Sequence, residues 1–161
     1  MKLVIGMTGS TGVIYGVRIM EVLKEQNVET HLVITEWAKK CLAMETDYKL
    51  DQLKALATEY SDDSNLASGI SSGTYKHDGM IVVPCSMKSL SAISNGYDET
   101  LVTRAAGVTL KESRKLVLVT RETPLTAINI ENMLKLARLG VVILPPVPGF
   151  YTRPKIGRAH V

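Results

Sequence analysis

Residues 3–16, LVIGMTGSTGVIYG, place small and hydroxylated residues between two apolar stretches. Gly6, Gly9 and Gly12 let the backbone turn sharply and approach a ligand closely, while Thr11 is placed to cap a following helix. Such a helix start favours an anion, phosphate above all, because its first amides lack partners within the helix. The spacing G-x-x-G-x-x-G differs from the dinucleotide fingerprint, and no acidic residue convincingly supplies the ribose contact. A mononucleotide is therefore the expected ligand. Hydroxyls, a cation and an acid recur at Thr35, Ser86 to Ser89, Arg121, Glu122 and Tyr151, a set suited to a phosphorylated ligand and a proton transfer.

The elements that must hold these residues follow from the apolar periodicity. A helix is expected from about Gly12 to Glu25, a strand through Val28 and His31 to Ile34, and a second helix from Glu36 to Met44. The pattern weakens from Asp47 to Gly79, with a short helix over Leu50 to Tyr60 and a serine-rich irregular stretch over Ser61 to Gly73. Met80 to Val83 reads as a buried strand ending in a Pro84-Cys85-Ser86 turn. Helices at Met87 to Asn95 and Glu99 to Ser113, a strand at Lys115 to Val119, a helix at Asn129 to Leu139 with Gly140 as its cap, and a strand at Val141 to Leu144 complete the order. Strand and helix in alternation imply an α/β fold with a parallel sheet and right-handed crossovers, whose ligand lies beyond the carboxyl ends of the strands. Thr8 to Thr11, Thr35, Ser86 to Ser89, Arg121-Glu122 and Tyr151 all fall at those ends.

Composition narrows the function. With 161 residues, 45% hydrophobic and 22% charged, the chain fits one globular domain. A net charge of +3 spread along the sequence does not imply nucleic acid, and no apolar run is long enough to span a bilayer. Cys41 and Cys85 are far apart and make neither a zinc pattern nor a disulfide framework, so a reducing cytoplasm is expected. No cluster of metal-ligating residues stands out, and no metal is expected.

The motifs GMTGSTGVIYGVR, ETHLVIT, METDYKL, SSGTY, GMIVVPCSMKSLS, TRAAGVTLKES, LVLVTRETPL and ENMLKLARLGVVILPPVPGFYTRP, in this order, resemble the UbiX-like flavin prenyltransferases over nearly the whole chain. GSTG and SMKS look like the members named as a component of phenolic acid decarboxylase. The resemblance implies a flavodoxin-like (Rossmann-like) three-layer sandwich around a central parallel sheet, assembled as a homododecamer. It implies a transferase that joins the dimethylallyl group of dimethylallyl phosphate to N5 and C6 of reduced FMN, giving prenylated FMN for a UbiD-type decarboxylase of aromatic or phenolic acids. By the same resemblance Gly9, Ser10, Thr11, Gly12, Thr35, Ser86, Met87, Lys88, Ser89 and Arg121 bind the flavin. Ser72 and Gly73 form a phosphate loop served by Lys111, Arg121 and Tyr151, and Glu45 and Glu122 are the working carboxylates beside the catalytic Lys111 and Arg121, with Glu122 also at the substrate. Preorganised cations can stabilise a departing phosphate without a metal. On exposure alone, Glu45 reads as a solvated loop acid, Lys111 as a surface lysine, Ser86 as a helix cap and Arg121-Glu122 as a surface pair.

The pattern departs from the family in places. Thr11 stands where many members have serine, Ser113 replaces a basic residue, and Gly107 replaces the aspartate of the family's RAAD segment. That last change is expected to weaken its helix by about 1 kcal/mol and to remove an acid. The domain is expected over 1–155 without the family's closing helix, and 156–161, IGRAHV, as a non-native tail. A chain shortened in this way is expected to keep the fold and flavin binding with transfer impaired, so the competing function is a non-catalytic FMN-binding protein. A cysteine-decarboxylating flavoprotein is a third class, disfavoured because no catalytic histidine follows the first helix.

Overall fold

Alternation of apolar residues along the strands dictates two buried sheet faces, and the computed structural model, which describes residues 1–147, has both. Six parallel strands, β1 (Lys2–Met7), β2 (Glu29–Ile34), β3 (Glu59–Asp62), β4 (Gly79–Cys85), β5 (Lys115–Thr120) and β6 (Val142–Ile143), stand in the order β3-β2-β1-β4-β5-β6. Ile5, Met7, Leu32 and Ile34 point to one face, under α1 (Val13–Glu25), α2 (Glu36–Glu45) and α3 (Leu50–Leu56). Val4, Val33, Val82 and Leu118 point to the other, under α4 (Met87–Ser94), α5 (Leu101–Lys111) and α6 (Ala127–Arg138). This is the flavodoxin-like three-layer sandwich.

The chain leaves β1 toward β2 on one face and leaves β4 toward β5 on the other. Between β1 and β4 lies the switch point, where open α/β sheets bind ligands. Thr8 clasps it: its hydroxyl donates to the Pro84 carbonyl at 2.9 Å and accepts the Ser86 N–H at 2.8 Å.

The structure corrects three expectations. Glu59–Asp62 is a strand, paired in register with His31–Ile34, rather than the end of a helix and the start of a serine-rich loop. Its polar residues are held by partners that no local pattern announces: Ser61 Oγ lies 2.8 Å from His31 Nε2 and Lys39 Nζ 2.9 Å from Asp62 Oδ2. Pro84 and Cys85 lie inside β4, where the ladder to β5 shifts register between Val82 and Cys85; the proline falls in the irregularity. Thr11 does not cap α1. Gly12, at φ 96°, is the cap residue, and its N–H donates to Glu45 Oε2 at 2.8 Å.

Close packing of α1 on the sheet depends on Gly16. A Cβ there would stand 2.6 Å from Met7 Cε and 2.7 Å from the Val83 carbonyl oxygen. Although alanine is the better helix former, Gly16→Ala is expected to lower stability by about 1–3 kcal/mol through overpacking, read as a lower midpoint in denaturant.

Candidate functional site

The carboxyl ends of β1, β2 and β4 open into a cleft of about 280 Å³. Gly9, Thr35, Ser86, Lys88 and Ser89 line it, five of the residues that the sequence assigns to flavin. Thr35 and Ser86 also cap: the Thr35 hydroxyl accepts the Ala38 N–H at 3.2 Å, and the Ser86 hydroxyl accepts the Ser89 N–H at 3.2 Å. Two helix starts, α2 and α4, therefore meet the cleft, each bringing the partial positive charge of its unpaired amides. Ser10 lies at its β5 side and donates from its hydroxyl to the Arg121 carbonyl at 3.1 Å, while the Arg121 N–H donates to the Cys85 carbonyl at 3.3 Å. Arg121 and Glu122 are exposed where β5 ends, and Glu122 Oε1 accepts the Thr123 N–H at 3.0 Å.

Sequence reasoning missed part of the wall. Trp37, Asp63, Tyr97, Thr100 and Thr103 line the same cleft. The position of Trp37, two residues beyond Thr35, was a usable signal; Asp63 follows a strand that the sequence did not reveal. Burial pushes the Asp63 carboxyl up from its ordinary range, against the Val102 N–H that donates to it at 2.9 Å. Cys85 is no nucleophile: full burial pushes its thiol up to about 12.

The remaining predicted residues fall into two further groups. Glu45 lines a second cavity of about 390 Å³ with Ile14, Met44, Asp47 and Tyr48, beside the glycine turn. Ser72, Gly73 and Lys111 come together, but not at this end of the sheet. The start of α5 is tied to the end of β3, the Leu101 N–H donating to the Asp63 carbonyl at 2.8 Å, and eleven residues carry the helix about 15 Å toward the start of β5. Lys111 Nζ, at that far end, lies 2.5 Å from Glu112 Oε1 and beside Gly73. The lysine holds the Glu112 carboxyl below its ordinary range. Tyr151 lies outside the described residues, as does 156–161.

Comparison with known proteins decides the family. The model described as Flavoprotein matches residues 1–161, and a probable UbiX-like flavin prenyltransferase of Bacillus subtilis (strain 168) is 54% identical over 96% of this chain and 76% of its own length. The chain belongs to the UbiX-like flavin prenyltransferase family. The mitochondrial flavin prenyltransferase PAD1 of Saccharomyces cerevisiae is 57% identical, again over 96% of this chain, which spans 64% of the yeast relative. Among solved structures, a dodecameric FMN-dependent UbiX-like decarboxylase from Escherichia coli O157:H7 is 52% identical with a TM-score of 0.96, covering 98% of this chain and 87% of its own. AnUbiX (PadA1), solved with FMN and dimethylallyl pyrophosphate, is 46% identical with a TM-score of 0.97, covering 99% and 85%. The family match runs to the last residue, so the expectation of a shortened chain with a foreign tail at 156–161 is not borne out.

For a UbiX-like chain the cleft has the right chemistry for a flavin mononucleotide. Thr35, Ser86 and Ser89 offer hydroxyls, Lys88 a cation and the α2 and α4 starts unpaired amides to a phosphate and a polyol, and Trp37 and Tyr97 offer flat apolar surface to a ring. No helix among the described residues is long and apolar enough to cross a membrane.

Proposed function

We propose that this chain is a flavin prenyltransferase that moves the dimethylallyl group of dimethylallyl phosphate onto reduced FMN, supplying prenylated FMN to a UbiD-type decarboxylase. The observation that carries this reading is the convergence of Gly9, Thr35, Ser86, Lys88 and Ser89 on one cleft at the β1/β4 switch point. Reduced FMN, held there, supplies the electron-rich ring edge that the allyl group alkylates. The chain's part is to hold both reactants, neutralise the departing phosphate and take up a proton. Arg121 brings a cation to the rim of the site, and its backbone bonds to Ser10 and Cys85 fix where that cation starts. Glu122 Oε1 is occupied by the Thr123 N–H; Oε2 has no hydrogen-bond partner among the described residues and is the oxygen placed to exchange a proton. Glu45, which accepts the Gly12 N–H, holds the glycine turn and presents the second carboxylate from the neighbouring cavity.

Ser72, Gly73 and Lys111 serve the phosphate of a second copy of the chain. They lie together at the opposite end of the sheet from the glycine turn, so one protomer does not bring them to its own cleft. Exposed Trp37 and Met44 on α2 and Ile128, Ile130 and Leu134 on α6 support a homo-oligomer, and a dodecamer is the expected form. Tyr151 completes the phosphate contacts. The free thiol of Cys41 and the buried one of Cys85 fit a reducing, cytoplasmic setting.

The test is anaerobic. Purified chain mixed with reduced FMN and dimethylallyl phosphate is expected to release a flavin heavier by one C5 unit, measured by mass spectrometry. FMN that copurifies and stays unmodified would overturn transferase in favour of a binding protein.

A further inference from the structure

Two observations on α5 have no explanation in the site so far. Gly107 sits in the middle of an eleven-residue helix, where glycine costs about 1 kcal/mol relative to alanine. Asp98 Oδ1 is buried without a hydrogen-bond partner. They meet in space: a Cβ built on Gly107 would stand 2.9 Å from Asp98 Oδ1, 3.1 Å from Oδ2 and 3.4 Å from Cγ. The carboxylate of Asp98 fills the notch that the missing side chain leaves.

From that notch Asp98 reaches Arg104. Arg104 Nη1 donates to Asp98 Oδ2 at 3.2 Å, and Arg104 Nε donates to the Ser71 carbonyl at 3.0 Å. Arg104, Gly107 and Lys111 are spaced three and four residues apart and therefore share one face of the helix. Segment 71–75 runs along this face and is held at its other end by Arg114, which donates to the Gly73 and Tyr75 carbonyls at 2.9 and 2.8 Å. An aspartate at 107, the residue expected there from the family pattern, would reach Arg104 from within the helix; in this chain the same charge arrives from the loop before it.

We infer that Asp98, seated in the Gly107 notch, is a positioning residue: it orients Arg104, which fixes the Ser71 carbonyl and so the geometry of Ser72 and Gly73. The pair is an interchange, an acid gained at 98 and lost at 107, that keeps one carboxylate on Arg104. Both acids together would crowd two negative charges into about 3 Å, and neither would leave the guanidinium with the Ser71 carbonyl alone. Its effect on catalysis rests on the proposed role of Ser72 and Gly73 in binding phosphate.

The test is a reciprocal swap in the full chain. Asp98→Ala is expected to raise KM for dimethylallyl phosphate about tenfold, with kcat and FMN affinity nearly unchanged, because the loop loosens while the cleft is untouched. Asp98→Asn keeps the shape without the charge and is expected to do the same, which separates loss of the charge from loss of folding. Gly107→Asp alone is expected to raise KM as well, and D98A/G107D to return it to within about threefold of the parent. Unchanged KM in both Asp98 variants, or a double variant no better than the singles, would overturn the inference. Should the parent transfer nothing, the proposed function fails, yet the pairing can still be read in melting temperature. Losses that cancel in the double variant support the pairing, and losses that simply add overturn it.

Discussion

A mixture of Lys111→Ala chains and Glu122→Gln chains, assembled together from the unfolded state, is expected to recover transfer that neither variant performs alone. The two residues belong to opposite ends of the sheet: Glu122 follows β5, and Lys111 precedes it by four residues at the end of α5. The six residues of β5 span about 20 Å, a distance no lysine side chain bridges within one protomer. If a phosphate is to meet both, two copies must supply them, and each variant then spoils a different half of every site. Random mixing in equal amounts leaves about a quarter of the sites with an intact lysine from one copy and an intact glutamate from the other. Activity near that fraction of the parent's, against a background at least a hundredfold lower for each variant alone, is the expected result, measured as prenylated flavin formed per chain. Activity no higher than that of the separate variants would place both residues in one protomer's site or remove one of them from catalysis. Bound FMN, followed by its absorbance, should persist in both variants because neither residue lines the cleft.

The layers of this fold were legible because each apolar strand announces itself. Val82, Leu116 and Leu118 are buried on a sheet covered from both sides, so continuous hydrophobic runs are needed and are present. β3 was not legible. Its residues, EYSD, are an edge strand whose stability comes from the ladder to β2 and from His31, Lys39 and Lys2 elsewhere in the chain, and a polar tetrapeptide carries no local trace of those partners. Failing to see β3 also hid Asp63, because a residue is at a carboxyl end only once its strand is known. The glycine turn was legible as a turn but not in its detail. A threonine before a helix ordinarily caps it; here Gly12 takes the left-handed conformation and Glu45, thirty-three residues away, supplies the acceptor. The residue expected to act as an acid thus has a structural bond as well, which sequence spacing does not foretell. Distance along the helix explains the last gap: TLKES places Lys111 near its neighbours in sequence but says nothing of which end of the sheet α5 has reached.

Gly9→Ala is expected to weaken FMN binding about tenfold to a hundredfold while the chain still folds. A Cβ on Gly9 would stand 2.4 Å from Trp37 Cβ and 3.4 Å from the Trp37 carbonyl carbon, so the contact cannot be relieved by turning the indole. The first turn of α2 has to move as a unit, carrying Thr35 and Trp37 away from the cleft that both line. Overpacking of this kind costs about 1–3 kcal/mol, and because both the glycine turn and the α2 start border the ligand, the cost falls on the bound state as well as on folding. Gly16→Ala is the control, since its clash lies with Met7 and Val83 beneath α1 and away from the cleft lining. It should lower stability and leave FMN affinity nearly as it is. Equal loss of affinity in the two variants would mean that binding follows global stability and that the Gly9–Trp37 contact has no special place in the site. Loss confined to Gly9→Ala, measured by titrating each variant with FMN at a temperature where both are folded, would locate the flavin between the turn after β1 and the start of α2.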